Sequence, residues 1–573
     1  MSSAEIDALI EALNVLGGGD PAATITGIDV TNITVGDVDD LSDTTSAIIK
    51  QLISDAIIDA LGAGLIPDEA YGLSSSSNQG NVVLLGGGAV QLATPAAQRL
   101  TDTELAAMID ALIILANNDL NVLVTAISTD VNVGQAVQLK GTASFIIKQL
   151  VSDALVDTLG TAAMPADAFI DGDVNGRLLD AEIDLMIDAL VILANGDDNL
   201  LVTNISTDIT VGQVKDLALL DSIVTKQLIS DTVIDQIDPL DEGKIPDEAR
   251  VGGIATNRLS DAEITAMIDA LEILSGHDDN VLVTLLSTDV TVGQVKELKG
   301  TASYIIKQLV SDAVIDVITA PKIPLEAYIG ADANNRLTDA EIDAMIDALD
   351  ILGDDLDLVT AISTDVNVGQ AVAFKGTPSY IIKQLVSDAI IDVIVAPAIP
   401  LDAYIGADVN NRLTDAEIDA MIDAIDILAD GDQNLAVTAI STNVTIGQVK
   451  GLALLTSSIT EKLISDAIID AVLLANVPDD AYLSDTPGNN LKSTEVDAMV
   501  LALEILAGSV VPGDVDTVLV STVSTAVTIG QAQALDTSGT GSSIIKFIIS
   551  DSIITMITAP KIPAAAYHLV YTD

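Results

Sequence analysis

The chain has 573 residues and a formal charge of −62 at pH 7, yet 49% of it is hydrophobic. That length exceeds one ordinary core, and that hydrophobic share excludes a disordered acidic tail. Without clustered Lys and Arg it is not built for nucleic acid or anionic membranes, and no apolar run approaches the roughly 20 residues of a membrane span.

The first element, "MSSAEIDALIEAL", is an amphipathic helix rather than a charged leader with an apolar stretch, as expected of a mature form or an excerpt of something longer. With no cysteine, no tryptophan and four phenylalanines, the core must be aliphatic, and disulfides and thiolate metal sites are excluded. Two ladders then run along the chain. A T-[IV]-G-Q pattern or a close variant places Gly36, Gly134, Gly212, Gly293, Gly369, Gly447 and Gly530. A Ser-Asp pair recurs at Ser54, Ser152, Ser230, Ser311, Ser387, Ser465 and Ser550. Such spacing is the mark of tandem repeats. Seven are predicted: 1–99, 100–177, 178–258, 259–336, 337–412, 413–492 and 493–573. Repeat 1 is longer because residues 74–95, "SSSSNQGNVVLLGGGAVQLATP", are inserted, and Val82 to Leu92 read as a β-hairpin.

Between repeats 2 and 3 lies "DGDVNGRLLDAE", residues 171–182. These twelve residues resemble an EF-hand calcium loop, with Asp171, Asp173 and Asn175 at the first, third and fifth places. The resemblance implies that Arg177 offers its carbonyl and Glu182 closes the site as a bidentate ligand of Ca2+. Leu179 departs from the pattern at the ninth place, and the segment before the loop is short for an entering helix. Weaker versions keep Asp332, Asn334 and Glu341, and Asp408, Asn410 and Glu417, but begin with Gly330 and Gly406. The competing reading is a turn followed by a capped helix.

Repeat 5 shows the unit cleanly. "RLTDAEIDAMIDALDIL" predicts a helix, A, with a capping box at Thr338 and Glu341 and an apolar face of Ile342, Met345, Ile346 and Leu349. The acidic turn after helix A recurs, and Asp430, Asp432 and Asn434 in repeat 6 echo half a calcium loop. "LVTAISTDVNVGQ" reads as a short helix or an extended segment. "SYIIKQLVSDAIIDVI" predicts a second long helix, B, apolar around most of its circumference and therefore buried on several sides. Its Lys383, like Lys50, Lys148, Lys226, Lys307 and Lys546, needs a carboxylate partner.

In repeat 7 three polar-stripe positions become Leu501, Phe547 and Thr555, which marks them as assembly residues. The expected fold is mainly α: seven tandem helical repeats of about 78 residues stacked as an elongated solenoid or rod with minor β content. The alternative is an array of small α+β domains. Only His277 and His568 occur, and no nucleophile, phosphate-loop or zinc pattern recurs, so no enzyme is expected. The expected role is a non-enzymatic extracellular or cell-surface structural protein that joins end to end with its own copies in a layer, stalk or filament, stabilised by calcium. The alternative is a calcium-dependent adhesin with a cell-surface or glycan target. Asn32, Asn204 and Asn443 stand in N-x-[ST] sequons, as three chance matches would.

Overall fold

The computed structural model describes residues 1–62, 66–71, 99–160, 164–173, 176–238, 245–254, 257–318, 323–394, 399–473, 477–485, 490–508, 515–538 and 541–557. The hairpin expected within 74–95 and Asn175 lie outside the described residues.

A long, a short and a second long helix follow one another seven times. They are α1 (Ser3–Leu16), α2 (Val35–Asp40) and α3 (Ala47–Leu61); α4 (Asp102–Leu115), α5 (Val133–Leu139) and α6 (Phe145–Leu159); α7 (Asp180–Leu193), α8 (Val211–Ala218) and α9 (Ile223–Ile237). The order continues with α10 (Asp261–Leu274), α11 (Val292–Glu297) and α12 (Tyr304–Ile318); α13 (Asp339–Leu352), α14 (Val368–Ala373) and α15 (Tyr380–Ile394). It ends with α16 (Asp415–Leu428), α17 (Ile446–Leu452) and α18 (Ser458–Val472); α19 (Ser493–Leu506), α20 (Ile529–Ser538) and α21 (Ser543–Ile557). The fold is thus mainly helical. Among the described residues there is no strand, and the expected β content reduces to isolated bridges. The "LVT.IST" segments do not pair as strands: Val359–Ala361 forms a single 3-10 turn, and α14 follows.

Two compact units divide the chain, one formed by residues 1–288 with 302–306 and the other by 289–301 with 307–573. Their cores obey the same rules. In the second unit, Ile342, Met345, Ile346 and Leu349 of α13 are buried as their spacing requires. On α15, Ile381, Ile382, Leu385, Val386, Ile390 and Ile394 are buried too, because this helix is covered on several sides. Each such side chain contributes about 1.5–3 kcal/mol of burial, so the aliphatic core needs no aromatic support. Aromatic rings are nonetheless buried at one corresponding place, as Tyr71, Phe169, Tyr328, Tyr404 and Tyr482, and Phe374 is buried as well. Among the described residues the Tyr328 and Tyr482 hydroxyls find no partner, and repeat 3 places Arg250 at the same position.

Helix A starts as expected, with Thr338 Oγ1 accepting from Glu341 N–H at 3.2 Å. The expected box is only half formed, because the Glu341 carboxylate leaves its own helix. Full capping boxes stand instead on the short helices, at Thr34 with Asp37, Asn132 with Gln135, Thr210 with Gln213, Thr291 with Gln294, Asn367 with Gln370 and Thr445 with Gln448.

Candidate functional site: the joints within and between repeats

Within each repeat one carboxylate ties helix A to helix B. Ser379 precedes α15 and caps it, its Oγ accepting from Ile382 N–H at 3.0 Å. Its hydroxyl proton goes to Glu341 of α13, and Glu341 also accepts from Tyr380 and Ile381 N–H, each at 3.0 Å. The same clamp joins Glu5 to Ser46, Glu104 to Ser144, Glu182 to Ser222, Glu263 to Ser303, Glu417 to Ser457 and Glu495 to Ser542. An anion here satisfies amide donors that a helix N-terminus leaves orphaned and complements its dipole. Six of the seven carboxylates are buried, and Glu5 is half-buried. The Ser46 hydroxyl and Ile48 amide hold the Glu5 carboxyl below its usual range.

Between repeats, a turn of one repeat plugs into the short helix of the one before. In the second unit, the Val368 and Gly369 amides donate to Leu435 and Gln433 carbonyls at 2.9 Å, and Val437 N–H returns to Val366 O at 2.9 Å. The contact is close because Gly369 has no side chain: a Cβ there would stand 3.1 Å from Gln433 O. The turn that plugs in is the acidic cluster after helix A. Asp430 and Gly431 take positive φ, and Asp432 Oδ1 accepts from Asn434 N–H at 3.1 Å. The cluster's Asp, Asn and Gly are therefore turn chemistry that shapes a plug. The motif's glutamine also closes the preceding helix A, with Gln448 Nε2 donating to Leu428 O at 3.0 Å.

Two further links recur. In repeats 1 to 6 the Ser-Asp serine is fully buried, and its Oγ accepts an amide of the next repeat, as Ser311 does from Leu337 at 2.9 Å and Ser387 from Leu413 at 2.9 Å, whereas Ser550 in repeat 7 is exposed. Its neighbour Asp312 is half-buried and accepts from Gln308. Five of the six helix B lysines find the carboxylates they were expected to need, Lys50 with Asp102, Lys148 with Asp180, Lys226 with Asp261, Lys307 with Asp339 and Lys383 with Asp415, and Lys546 is exposed. An arginine three residues before each aspartate completes the set. Where repeat 6 replaces the lysine by Glu461, repeat 7 has Ser493 in the aspartate's place.

Lys50 and Arg99 hold the Asp102 carboxyl low, and Arg258 and Lys226 do so for Asp261. Burial pushes Asp180, Asp339 and Asp415 upward, but their Lys and Arg partners override it and leave them low. Asp153 and Asp231 are raised by burial, against the pull of Gln149 and Gln227. A lowered carboxyl stabilises the fold above its ordinary value of 3.8, and that contribution is lost as pH falls through the lower folded value. A raised carboxyl carries a penalty at neutral pH that disappears as pH falls through its raised value. Protonation also relieves the repulsion within the −62 charge. Melting temperature is therefore expected to rise as pH falls from neutrality toward the ordinary carboxylate range and to fall again below it. Circular dichroism melts across that range check it, and a steady decline from pH 7 downward would contradict it.

Several of the expected calcium ligands have other partners. Asp171 takes a left-handed φ of 57° where the next repeats have Gly252, Gly330 and Gly406, so this place selects for backbone conformation. Arg177 O accepts from Ile170 N–H, and Glu182 is spent on Ser222 and Val224. Asp332 and Asp408 accept from Asn334 and Asn410, while Glu341 and Glu417 clamp α15 and α18. Among the described residues no three His, Cys, Asp or Glu stand together as a metal group. Glu182, expected to close the loop on the metal, is thus engaged at the start of α9 instead. Glu182→Gln is expected to lower the melting temperature equally in calcium and in chelator. A calcium-dependent shift that vanishes in the variant would restore the loop reading.

Of the expected assembly residues, Leu501 is 45% exposed, Phe547 half-buried and Thr555 exposed. Two small clefts of 170 and 200 Å³ lie beside Lys148 and Lys383, below the roughly 300–1,000 Å³ of small-molecule sites. His277 stands 3.5 Å from Glu272, and His568 lies outside the described residues. Among the described residues no helix is long and apolar enough to cross a membrane. No protein-family model, no curated protein and no solved structure matches this chain.

Proposed function

We propose that the chain is a non-enzymatic structural protein, extracellular or on the cell surface, that associates with its own copies in a layer, stalk or filament. The observation that carries this reading is where the recurring polar side chains go. A repeated active or binding site would repeat its chemistry in an open cleft. Here the recurring Glu, Ser, Gln, Lys, Asp and Arg meet one another or the backbone at joints. A chain whose repeated chemistry is cohesion is suited to bearing structure. A pI near 4.1 gives an acidic, strongly solvated surface, which supports the reading. Sedimentation velocity and negative-stain microscopy of the purified chain over a wide concentration range test the assembly. Ordered multimers are expected, and a monomer at every concentration would overturn it. Fractionation of source cells tests the location, and a cytosolic pool alone would overturn that.

A further inference from the structure

Resting on that reading of self-association, we infer that repeats 7 and 1 carry the two halves of one joint, and that the partner of each is a second copy of this chain docked as the six internal joints are.

The socket half is on α20. Its first residue corresponds to Val35, Val133, Val211, Val292, Val368 and Ile446, each 0% exposed beneath the following repeat, whereas Ile529 is 83% exposed. A Cβ on the six internal glycines would meet the next repeat at 2.9–3.1 Å, and one on Gly530 meets nothing within 4 Å. Among the described residues no carbonyl accepts from the Ile529 or Gly530 amide. The bare face continues onto α21, where Ile553 is 47% exposed while its counterparts Ile57, Leu155, Val233, Val314, Ile390 and Ile468 are at most 1% exposed.

The plug half is after α1, already in shape. Gly18 and Gly19 hold the positive φ that Asn117 and Asn118 hold in the plug of repeat 2. Asp20 Oδ1 accepts from Ala22 N–H at 2.8 Å, as Asp119 does from Asn121 at 3.0 Å. The 3-10 turn that follows carries Ile25, 69% exposed, where Val124, Val202, Val283, Val359, Val437 and Val520 are at most 1% exposed. Those valines donate their amides to the preceding repeat, while among the described residues the Ile25 amide has no acceptor. Ile6 and Ile10 of α1 are exposed, though Ile183 and Ile187 are buried at the same places of α7.

Socket and plug are two different surfaces, so the contact is heterologous and propagates head to tail. A second copy is the occupant because its plug has the backbone shape, apolar residue and free donor that the socket receives six times within the chain. Charge sets the conditions. Internal joints gain Lys140 with Asp188 and Lys375 with Asp423. The corresponding places in repeats 7 and 1 are Asp536 and Glu11. Two acids face each other across the joint between copies, so association strengthens as salt screens them.

The test is sedimentation equilibrium of the full chain in low and high NaCl. Wild type is expected to form oligomers whose mass grows with concentration, more so in high salt. Gly530→Val, Ile529→Asp and Ile25→Asp should each keep the wild-type thermal melt and stay monomeric. An equimolar mixture of Ile25→Asp and Ile529→Asp should give dimers, since one retains the socket and the other the plug. Oligomers that persist in all three variants would overturn this joint and leave self-association standing by another surface. A wild type that is monomeric in both salts would overturn both.

Discussion

Replacing Glu341 by alanine is expected to cost about 2–4 kcal/mol, far more than removing any neighbouring acid of the same helix. The carboxylate is 3% exposed and takes three donors, the Ser379 hydroxyl and the Tyr380 and Ile381 amides. Alanine would strand all three, and a buried donor without an acceptor loses its solvation with nothing in return. Glu341→Gln keeps one carbonyl oxygen and should recover part of the loss. Asp343, two residues on and half-exposed, should change stability by no more than about 0.5 kcal/mol when replaced by alanine. Urea unfolding followed by circular dichroism ranks the three variants. Hydrogen exchange locates the damage, since protection should fall first at the start of α15. Equal small losses at Glu341 and Asp343 would show that the clamp contributes nothing.

The clamp also shows what could be read in the sequence and what could not. Ile342, Met345, Ile346 and Leu349 were legible because burial follows a local period. The helix B lysines were legible by elimination, since a half-buried ammonium needs an anion. Glu341 was assigned to its own helix because a capping box is a local pattern, and its real partner Ser379 lies 38 residues away. Only the joint recurrence of that glutamate and that serine in all seven repeats could have paired them. The short helix was hidden differently. "TIGQ" at 445–448 fits strand and helix periods alike, but Thr445 and Gln448 stand at the capping-box offset, which decides for the helix. Asp171 and Asp430 carried two readings because turn-forming acids and calcium ligands share residue types. Their positive φ accounts for them as turn residues, and that is a property of backbone rather than of composition.

Gly447→Val is expected to detach repeat 7 from repeat 6 while leaving the preceding repeats folded. A Cβ at Gly447 would lie 2.9 Å from Asp516 Cβ and 3.0 Å from Asp516 O. Neither atom is the far end of a flexible side chain, so the added carbons can be accommodated only by moving the plug out. That movement breaks Ile446 N–H to Val518 O at 2.9 Å, Gly447 N–H to Asp516 O at 3.0 Å and Val520 N–H to Val444 O at 3.0 Å. It also uncovers Ile446, which is 0% exposed. Overpacking of about 1–3 kcal/mol together with three lost amide bonds exceeds what a single repeat can absorb. Because contacts in a repeat array run between neighbours, the loss should stay local. Limited proteolysis should therefore release fragments from residues 493–573 and spare the rest. The chain carries its own control. Gly530 stands at the same place in repeat 7, faces open space, and should accept valine with no change in melting or proteolysis. If the two substitutions prove equally harmless, the glycine is not what lets one repeat seat on the next. If they prove equally damaging, helix propensity rather than docking sets the cost.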